Sequence, residues 1–518
     1  MIITLPFQAL KRLTFSTLLL AFLWTITGCS TSQKAVSTNP DIIDIQIIQL
    51  NDVYEITPLG DDKGGMARVA TLKKALKQKN SNTIAVLSGD FVSPSAIGTL
   101  KYDGASIRGK QMIEVMNAAG IDYVTFGNHE FDIKEAEIQS RIDESTFEWI
   151  ASNVSHVTKT GTVPFTQRGT PLPRYKIVEF KNASGAAVKV GIIGVTLPAN
   201  KQDFVAYEDF FAVAKRIEQQ ISSQVDFTIA LTHIDVADDI KLAAMMPQVP
   251  LLLGGHDHTH MYIKKGSNVV AKADANAKTV YVHTLSYNKS SKKVSLKSKL
   301  TEINNTIPDD PATLKVVNKW VDIARTSLKA MGFNADEKVM VLKTPLDARE
   351  TVVRYKPSYA AELVTKAMSA ATPSSECTIL NCGSIRIDDI VTGAISQYDV
   401  IRILPFGGKI ALVEMKGSLL NKIIKIGAVD NVGNGGYLGY DRCAYDKAKG
   451  LALVGGMPID PAKTYKVALP EFLLTGKEYN LGFLTKDNPE ISKVTLPDKA
   501  EDPMMDIRVA LIKYMKTL

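Results

Sequence analysis

Short apolar runs recur through the first half of the chain, and each ends on a side chain suited to metal or proton chemistry. Ile45–Leu50 runs into Asn51-Asp52, and Thr83–Leu87 into Ser88-Gly89-Asp90. Tyr123–Phe126 runs into Gly127-Asn128-His129, Phe227–Leu231 into Thr232-His233, and Val249–Leu253 into Gly254-Gly255-His256. Runs this short and this aliphatic predict buried strands. Between them, Ala67–Lys79 and Gln111–Ala119 carry apolar residues at helical spacing, and Gly120 stops the second. Strands alternating with helices predict an α/β sheet, whose ligands bind outside the carboxyl ends of its strands. One polar residue at a strand end is ordinary. Five in succession predict a site.

The pattern then changes. Around Asp310–Met331, Leu314, Val317, Trp320 and Ile323 form one stripe of an amphipathic helix, read as a linker. Beyond about Lys343 a second α/β or α+β domain is expected, containing Pro405-Phe406-Gly407-Gly408 and the glycine-rich turn Gly433–Gly439. At the other end, Lys11 and Arg12 precede an apolar run to Ile26 that meets Thr27-Gly28-Cys29. A positive start, an apolar stretch short for a bilayer and small residues before a cut site predict a secretory signal peptide. Ile26-Thr27-Gly28-Cys29 is similar to a bacterial lipobox, which makes Cys29 the lipidated mature terminus, and the polar run Ser30–Pro40 reads as a flexible tether. The expected division is a signal peptide over 1–28, a tether over 29–41, a first domain over 42–305, a linker over 306–342 and a second domain over 343–518. The protein is thus expected to be exported and lipid-anchored to a bacterial membrane, periplasmic or at the cell surface.

Composition narrows the chemistry. The chain of 518 residues carries +7, and removing residues 1–28 takes two cations and no acid, leaving +5. With no concentrated basic block, this mild excess does not call for nucleic acid. It suits a small anionic substrate. Cys377, Cys382 and Cys443 have no zinc-finger spacing, and an oxidising compartment would permit one disulfide among them. All seven histidines lie between His129 and His283, so imidazole chemistry belongs to the first half. His156, His260 and His283 have no motif partner and are expected to be surface or core residues.

Asp52, Asp90, Asn128, His233, His256 and His258 supply the carboxylate, amide and imidazole donors that a pair of divalent cations needs. Their order resembles the calcineurin-like metallophosphoesterases, and Gly127-Asn128-His129-Glu130-Phe131-Asp132, Gly254-Gly255-His256-Asp257-His258 and Gly64-Gly65-Met66-Ala67-Arg68 narrow the resemblance to the bacterial 5'-nucleotidases. The resemblance implies a two-layered β-sandwich flanked by helices, a linker helix and an α+β substrate-binding domain. It implies two divalent ions (Zn, Mn, Co, Mg or Fe), with Asp90 bridging, Asp52 and His258 at the first, and Asn128, His233 and His256 at the second. His129 would face the leaving group or a phosphoryl oxygen, and Asp132 would orient it. The implied reaction is hydrolysis of a phosphomonoester, most naturally of a 5'-nucleotide, by in-line attack of a metal-activated water. One position departs: the family has Asp-x-His where Asp52-Val53-Tyr54 stands. Tyr54 would either ligate as a phenolate, favouring ferric iron, or leave the first site one ligand short with water in the place. The second reading is preferred.

In the second domain, Asn381–Arg386 resembles the family's Asn-Gly-Gly-Gly-Ile-Arg with two glycines lost, and Leu404-Pro405-Phe406 its Leu-Pro-Phe. Phe472–Glu478 resembles Phe-Leu-Ala-Asn-Gly-Gly-Asp, while little of the pattern expected near Arg354 remains. The resemblance implies that Phe406 and Phe472 stack a base, that Arg354, Asn381 and Arg386 hold phosphate and sugar, and that Glu478 accepts from the ribose diol. The lost glycines keep other substrates open: a nucleotide sugar, a cyclic nucleotide, or a non-nucleotide ester such as a sulfur oxyester. A non-catalytic surface lipoprotein of the same fold is the alternative from another class.

Overall fold

The computed structural model describes residues 39–59, 62–199 and 201–518. The expected signal peptide, the expected lipidation site at Cys29 and nearly all of the expected tether lie outside the described residues. Two six-stranded sheets form the first domain. One runs, edge to edge, Lys293–Glu302, Thr279–Asn288, Ile42–Leu50, Thr83–Ser88, Tyr123–Thr125 and Glu148–Trp149. The other runs Tyr175–Lys181, Ala187–Thr196, Phe227–His233, Leu251–Gly254, Asn268–Lys272 and Met261–Lys265. In both, the central strands are parallel and the outermost pairings antiparallel at one or both edges.

The apolar pattern explains the layering. Along Ile42–Leu50, Ile43, Ile45 and Ile47 point into the sandwich, where they meet Val190, Ile192, Ile229 and Leu253 of the other sheet. Ile48 and Leu50 face outward, under Met66–Lys79 and Lys110–Ala119. The outer face of the second sheet is covered in the same way by Phe210–Ile221 and Val236–Met245. The central strands of each sheet are therefore buried on both faces, as near-continuous apolar runs require. Gly120 caps the second helix in the left-handed conformation at φ 74°, as its position after the apolar stripe requires.

Asp310 accepts a hydrogen bond from the Thr313 amide and Pro311 follows it, so the linker helix begins at Pro311 and ends at Ala330. Its buried stripe is Thr313, Val317, Trp320, Ala324 and Leu328; the expected Leu314 and Ile323 lie at the margin, half-buried. It lies against the first domain, where Trp320 donates from Nε1 to Glu114 at 3.0 Å. The strand Lys338–Val341, within the expected linker, pairs with Ala394–Ser396 of the second domain. That domain is built on a five-stranded mixed sheet, Leu438–Asp441, Cys377–Asn381, Thr464–Pro470, Ile410–Lys416 and Ile491–Thr495, with helices on both faces. Cys377 and Cys443 form the one disulfide among the described residues, and Cys382 is a buried unpaired thiol.

Of the three histidines without motif partners, His260 is exposed beside Asp274 and His156 stacks on Phe165. His283 is wholly buried. Gln49 donates through Nε2 to the carbonyls of Gly254 and Ala271, so its Oε1 must accept, here from His283 Nε2 at 2.9 Å. Ser298 Oγ lies 2.8 Å from His283 Nδ1 and completes a neutral imidazole. Burial pushes the His283 pKa down from 6.5 to about 3. Between those values the unfolded chain binds a proton that the folded chain refuses, so stability falls as pH drops below about 6.5. Thermal unfolding of the parent and His283→Gln between pH 8 and 5.5 tests this. The parent should lose stability relative to the variant below pH 6.5, with a slope approaching about 1.4 kcal/mol per pH unit; a pH-independent difference would contradict it.

Candidate metal centre and substrate cleft

The five strand ends converge. Asp90, His233 and His256 bring one donor atom each to within 4.8 Å of one another, and Asp52, Asp90 and His258 form a second such group, so Asp90 belongs to both. His233 Nε2 lies 3.1 Å from Asp90 Oδ2 and 3.2 Å from Asn128 Oδ1. Its Nδ1 faces the Ser88 carbonyl at 2.7 Å, which fixes the ring with Nε2 toward the site. Asp52 Oδ2 accepts from Asn51 Nδ2 at 2.8 Å and from the His256 amide at 2.9 Å. Its Oδ1 is buried, and no hydrogen-bond donor among the described residues reaches it. The nearest charged partner is His258 Nε2 at 3.3 Å. A buried carboxylate oxygen left in that state is costly unless a cation meets it. The oxygen and imidazole donor set, with two groups sharing one carboxylate, fits two divalent ions.

Close backbone approach makes this possible. A Cβ on Gly127 would stand 2.1 Å from Asp90 Oδ1, and one on Gly255 would stand 2.3 Å from the Ser88 carbonyl oxygen. Four of the donor residues, Asp52, Asp90, His256 and His258, sit in left-handed backbone at φ 54°, 59°, 79° and 58°. Asp and His tolerate that region better than most residues, and such strain gathers where geometry must serve a site. Glu130, whose role the sequence left unassigned, holds the turn. Its carboxylate accepts from the amides of Asp90 (2.9 Å), Phe91 (2.8 Å), Val92 (3.1 Å) and Gly127 (2.5 Å). The His129 amide then fixes Asp90 Oδ1 at 2.7 Å, leaving Oδ2 to the cluster.

Electrostatics follow from burial and neighbours. Burial pushes the His233 pKa down, but Asp90 outweighs it and raises the value to about 9. Burial pushes Tyr54 well above the usual phenol range, and the charges of Asp90 and Asp52 reinforce it. The Tyr54 hydroxyl lies 3.2 Å from Asp90 Oδ2 and 3.1 Å from His258 Nε2, inside the cluster. His129 Nδ1 lies 2.7 Å from Asp132 Oδ2. The Arg386 guanidinium, from the second domain, reaches the same pair at 3.3 Å from Asp132 and 3.4 Å from His129.

Arg386 also lines a cavity of about 740 Å³ together with Asn381, Phe406, Phe472 and Glu478. Phe406 and Phe472 are 59% and 46% exposed, so neither ring is core. Asn381 donates to Glu478 Oε2 at 2.7 Å, and Arg386 lies 5.9 Å from the Phe406 centroid. Five of the six substrate-binding candidates thus share one cleft. Arg354 does not line it; its guanidinium pairs with Glu350, which is also 3.7 Å from Arg386. Two further groups escaped the sequence reading. Lys272, wholly buried, joins Asp239 (2.8 Å) and Asp257 behind the His256–His258 turn and donates to the carbonyls of Ile234 and Gly255 at 2.7 Å. Asp388 of the second domain contacts His258.

Known proteins match this arrangement. The sequence model of calcineurin-like phosphoesterases matches residues 45–260, and that of the 5'-nucleotidase C-terminal domain matches residues 338–483. The 5'-nucleotidase of Bos taurus is 27% identical over 471 residues, covering 80% of this chain and 78% of the relative. The protein UshA of Yersinia enterocolitica is 23% identical over 502 residues, covering 84% and 86%. Among solved structures, a 5'-nucleotidase precursor from Thermus thermophilus has a TM-score of 0.68 at 19% identity, covering 92% of this chain and 96% of that one. The sulfate thiohydrolase SoxB of the same organism has a TM-score of 0.61 at 16% identity, covering 88% and 80%. At those identities the structural likeness speaks for the fold. Two adjacent sequence matches in the right order, on a sandwich followed by an α+β domain, make this chain a member of the 5'-nucleotidase family, a metallophosphoesterase domain joined to a 5'-nucleotidase C-terminal domain.

Proposed function

We propose that the protein hydrolyses 5'-nucleotides to nucleosides and phosphate, with two divalent ions held by Asp52, Asp90, Asn128, His233, His256 and His258. The observation that carries this reading is the continuity of site and cleft through Arg386. The residue touches the His129–Asp132 pair at one end and lines the cavity with two open phenylalanine faces at the other. Asp90 is read as the bridging ligand, and Tyr54 as a hydrogen-bond donor within the site rather than a ligand. The ions would polarise the phosphoryl group and supply a nucleophilic water near neutral pH. The protein's own groups do the rest. Asp132 commits Nδ1 of His129, so proton exchange with the leaving oxygen passes through Nε2. Arg386, whose buried Nε has no hydrogen-bond partner among the described residues, suits a phosphoryl oxygen. Phe406 and Phe472 would stack the base, and Glu478, steadied by Asn381, would accept from the ribose hydroxyls. Arg354 acts at most through Glu350, which it shares with Arg386.

A second reading keeps the metal chemistry and changes the substrate to another ester. Cys382 and Ser384, where the family carries glycines, favour it, because both lie in the segment that ends at Arg386. For location, Cys29 is read as the lipid anchor of an exported protein; among the described residues no helix is long and apolar enough to cross a membrane.

Two experiments test the reading. Asp90→Asn should abolish phosphate release and metal content together, whereas His129→Ala should keep its metal and lose roughly 10²-fold or more in turnover. Metal loss in the His129 variant, or a near-normal rate in the Asp90 variant, would count against the assignment. Phe406→Ala and Phe472→Ala should each cost about 1–3 kcal/mol in kcat/KM for a nucleoside monophosphate. Both should leave a small aryl phosphate, which has no base to stack, nearly unaffected. Equal losses on the two substrates would mean structural damage, and no loss on either would exclude a stacked base.

A further inference from the structure

The two candidate metal groups contain imidazoles that are held in different ways. His233 is oriented from within its own domain, with Nδ1 on the Ser88 carbonyl at 2.7 Å and Nε2 turned to Asp90. His258 turns Nε2 toward Asp52 Oδ1 at 3.3 Å and the Tyr54 hydroxyl at 3.1 Å, but its Nδ1 meets Oδ2 of Asp388, a residue of the second domain. An imidazole that coordinates through one nitrogen needs the other protonated and held, most effectively by a carboxylate. Asp388 is built for that task. Its side chain is only 16% exposed, its backbone sits in the left-handed region at φ 42°, and its Oδ1 accepts from the Glu350 amide at 2.5 Å. Its neighbours bind across the same boundary, Arg386 to Asp132 at 3.3 Å and Asp389 to Lys278 at 2.7 Å.

We propose that Asp388 is a positioning residue for the first metal: from the substrate domain it holds His258 in the orientation and tautomer that present Nε2 to the ion. This rests on the two-metal reading above. The first ion's affinity then depends on the second domain's 386–389 segment, whereas the second ion, coordinated by Asn128, His233 and His256, does not feel it. Nothing in the motif spacing announces Asp388, because its partner lies 130 positions earlier in the chain.

The test uses the full mature chain stripped of metal and titrated with Mn²⁺, the free ion being read by electron paramagnetic resonance. The parent should take up two ions. Asp388→Asn offers a single acceptor oxygen to two donors, the Glu350 amide and His258, so one of them is lost. Its weaker site should lose about 10- to 100-fold in affinity while the other is unchanged. Asp388→Glu, which keeps both acceptor oxygens, should recover part of the loss. Asp389→Asn, which breaks the neighbouring Lys278 contact and leaves His258 alone, should bind both ions as the parent does. Parent affinity at both sites in Asp388→Asn would overturn the proposal, as would an equal loss in Asp389→Asn, which would make the segment a docking device only. A parent that binds fewer than two ions would instead bring down the two-metal reading, and this inference with it.

Discussion

The architecture turns on one buried carboxylate. Asp90 lies at the end of a central strand, fully buried, with one oxygen pinned by the His129 amide and the other facing His233 and Tyr54. Removing a carboxylate from water costs several kcal/mol unless charges and donors replace the solvent. Much of the surrounding sequence can be understood as that replacement. Glu130 ties down the amides on either side, Gly127 leaves room for the carboxylate, and His233 supplies the facing imidazole. Glu130 is itself pushed up to about 7 by burial and by Asp90, so the turn holds two acids that repel unless cations or protons intervene. A pair of divalent ions is the resolution that this donor set fits best.

The same constraint explains what was legible in the sequence. Strand ends carrying Asp52, Asp90, Asn128, His233 and His256 could be read because buried parallel strands announce themselves as apolar runs, and the chemistry sits where the runs stop. The linker helix followed from its own apolar stripe, whereas the two-sheet sandwich was implied by the resemblance to the metallophosphoesterases. The left-handed backbone at Asp52, Asp90, His256 and His258 was not legible, since Asp and His are common in ordinary turns. Glu130 stood inside a recognised motif, yet only the folded turn shows its oxygens on four amides. Lys272 reads as a solvated charge in a strand; its burial is tolerable only because Asp239 and Asp257 arrive from distant segments. The pairing of Cys377 with Cys443 likewise depends on which strands become neighbours, which three cysteines in a row cannot say.

The two domains divide the work but share charged contacts. Arg402 and Tyr398 of the second domain reach the buried Glu55 of the first at 3.3 and 3.1 Å, one residue beyond Tyr54. Lys278 meets Asp389, and Arg386 meets Asp132. Ion pairs of this kind contribute less to net stability than to a specific arrangement, because desolvation offsets much of their attraction. Here one of them brings the Arg386 guanidinium to 3.3 Å from Asp132 and 3.4 Å from His129. The second domain thus places Arg386 and Asp388 directly against residues of the first-domain cluster.

The most direct measurement is the anomalous scattering of crystals grown with manganese. Two peaks are expected, one among Asp52, Asp90 and His258 and the other among Asp90, Asn128, His233 and His256, with the Asp90 carboxylate touching both. A single peak, or two peaks that Asp90 does not join, would contradict it.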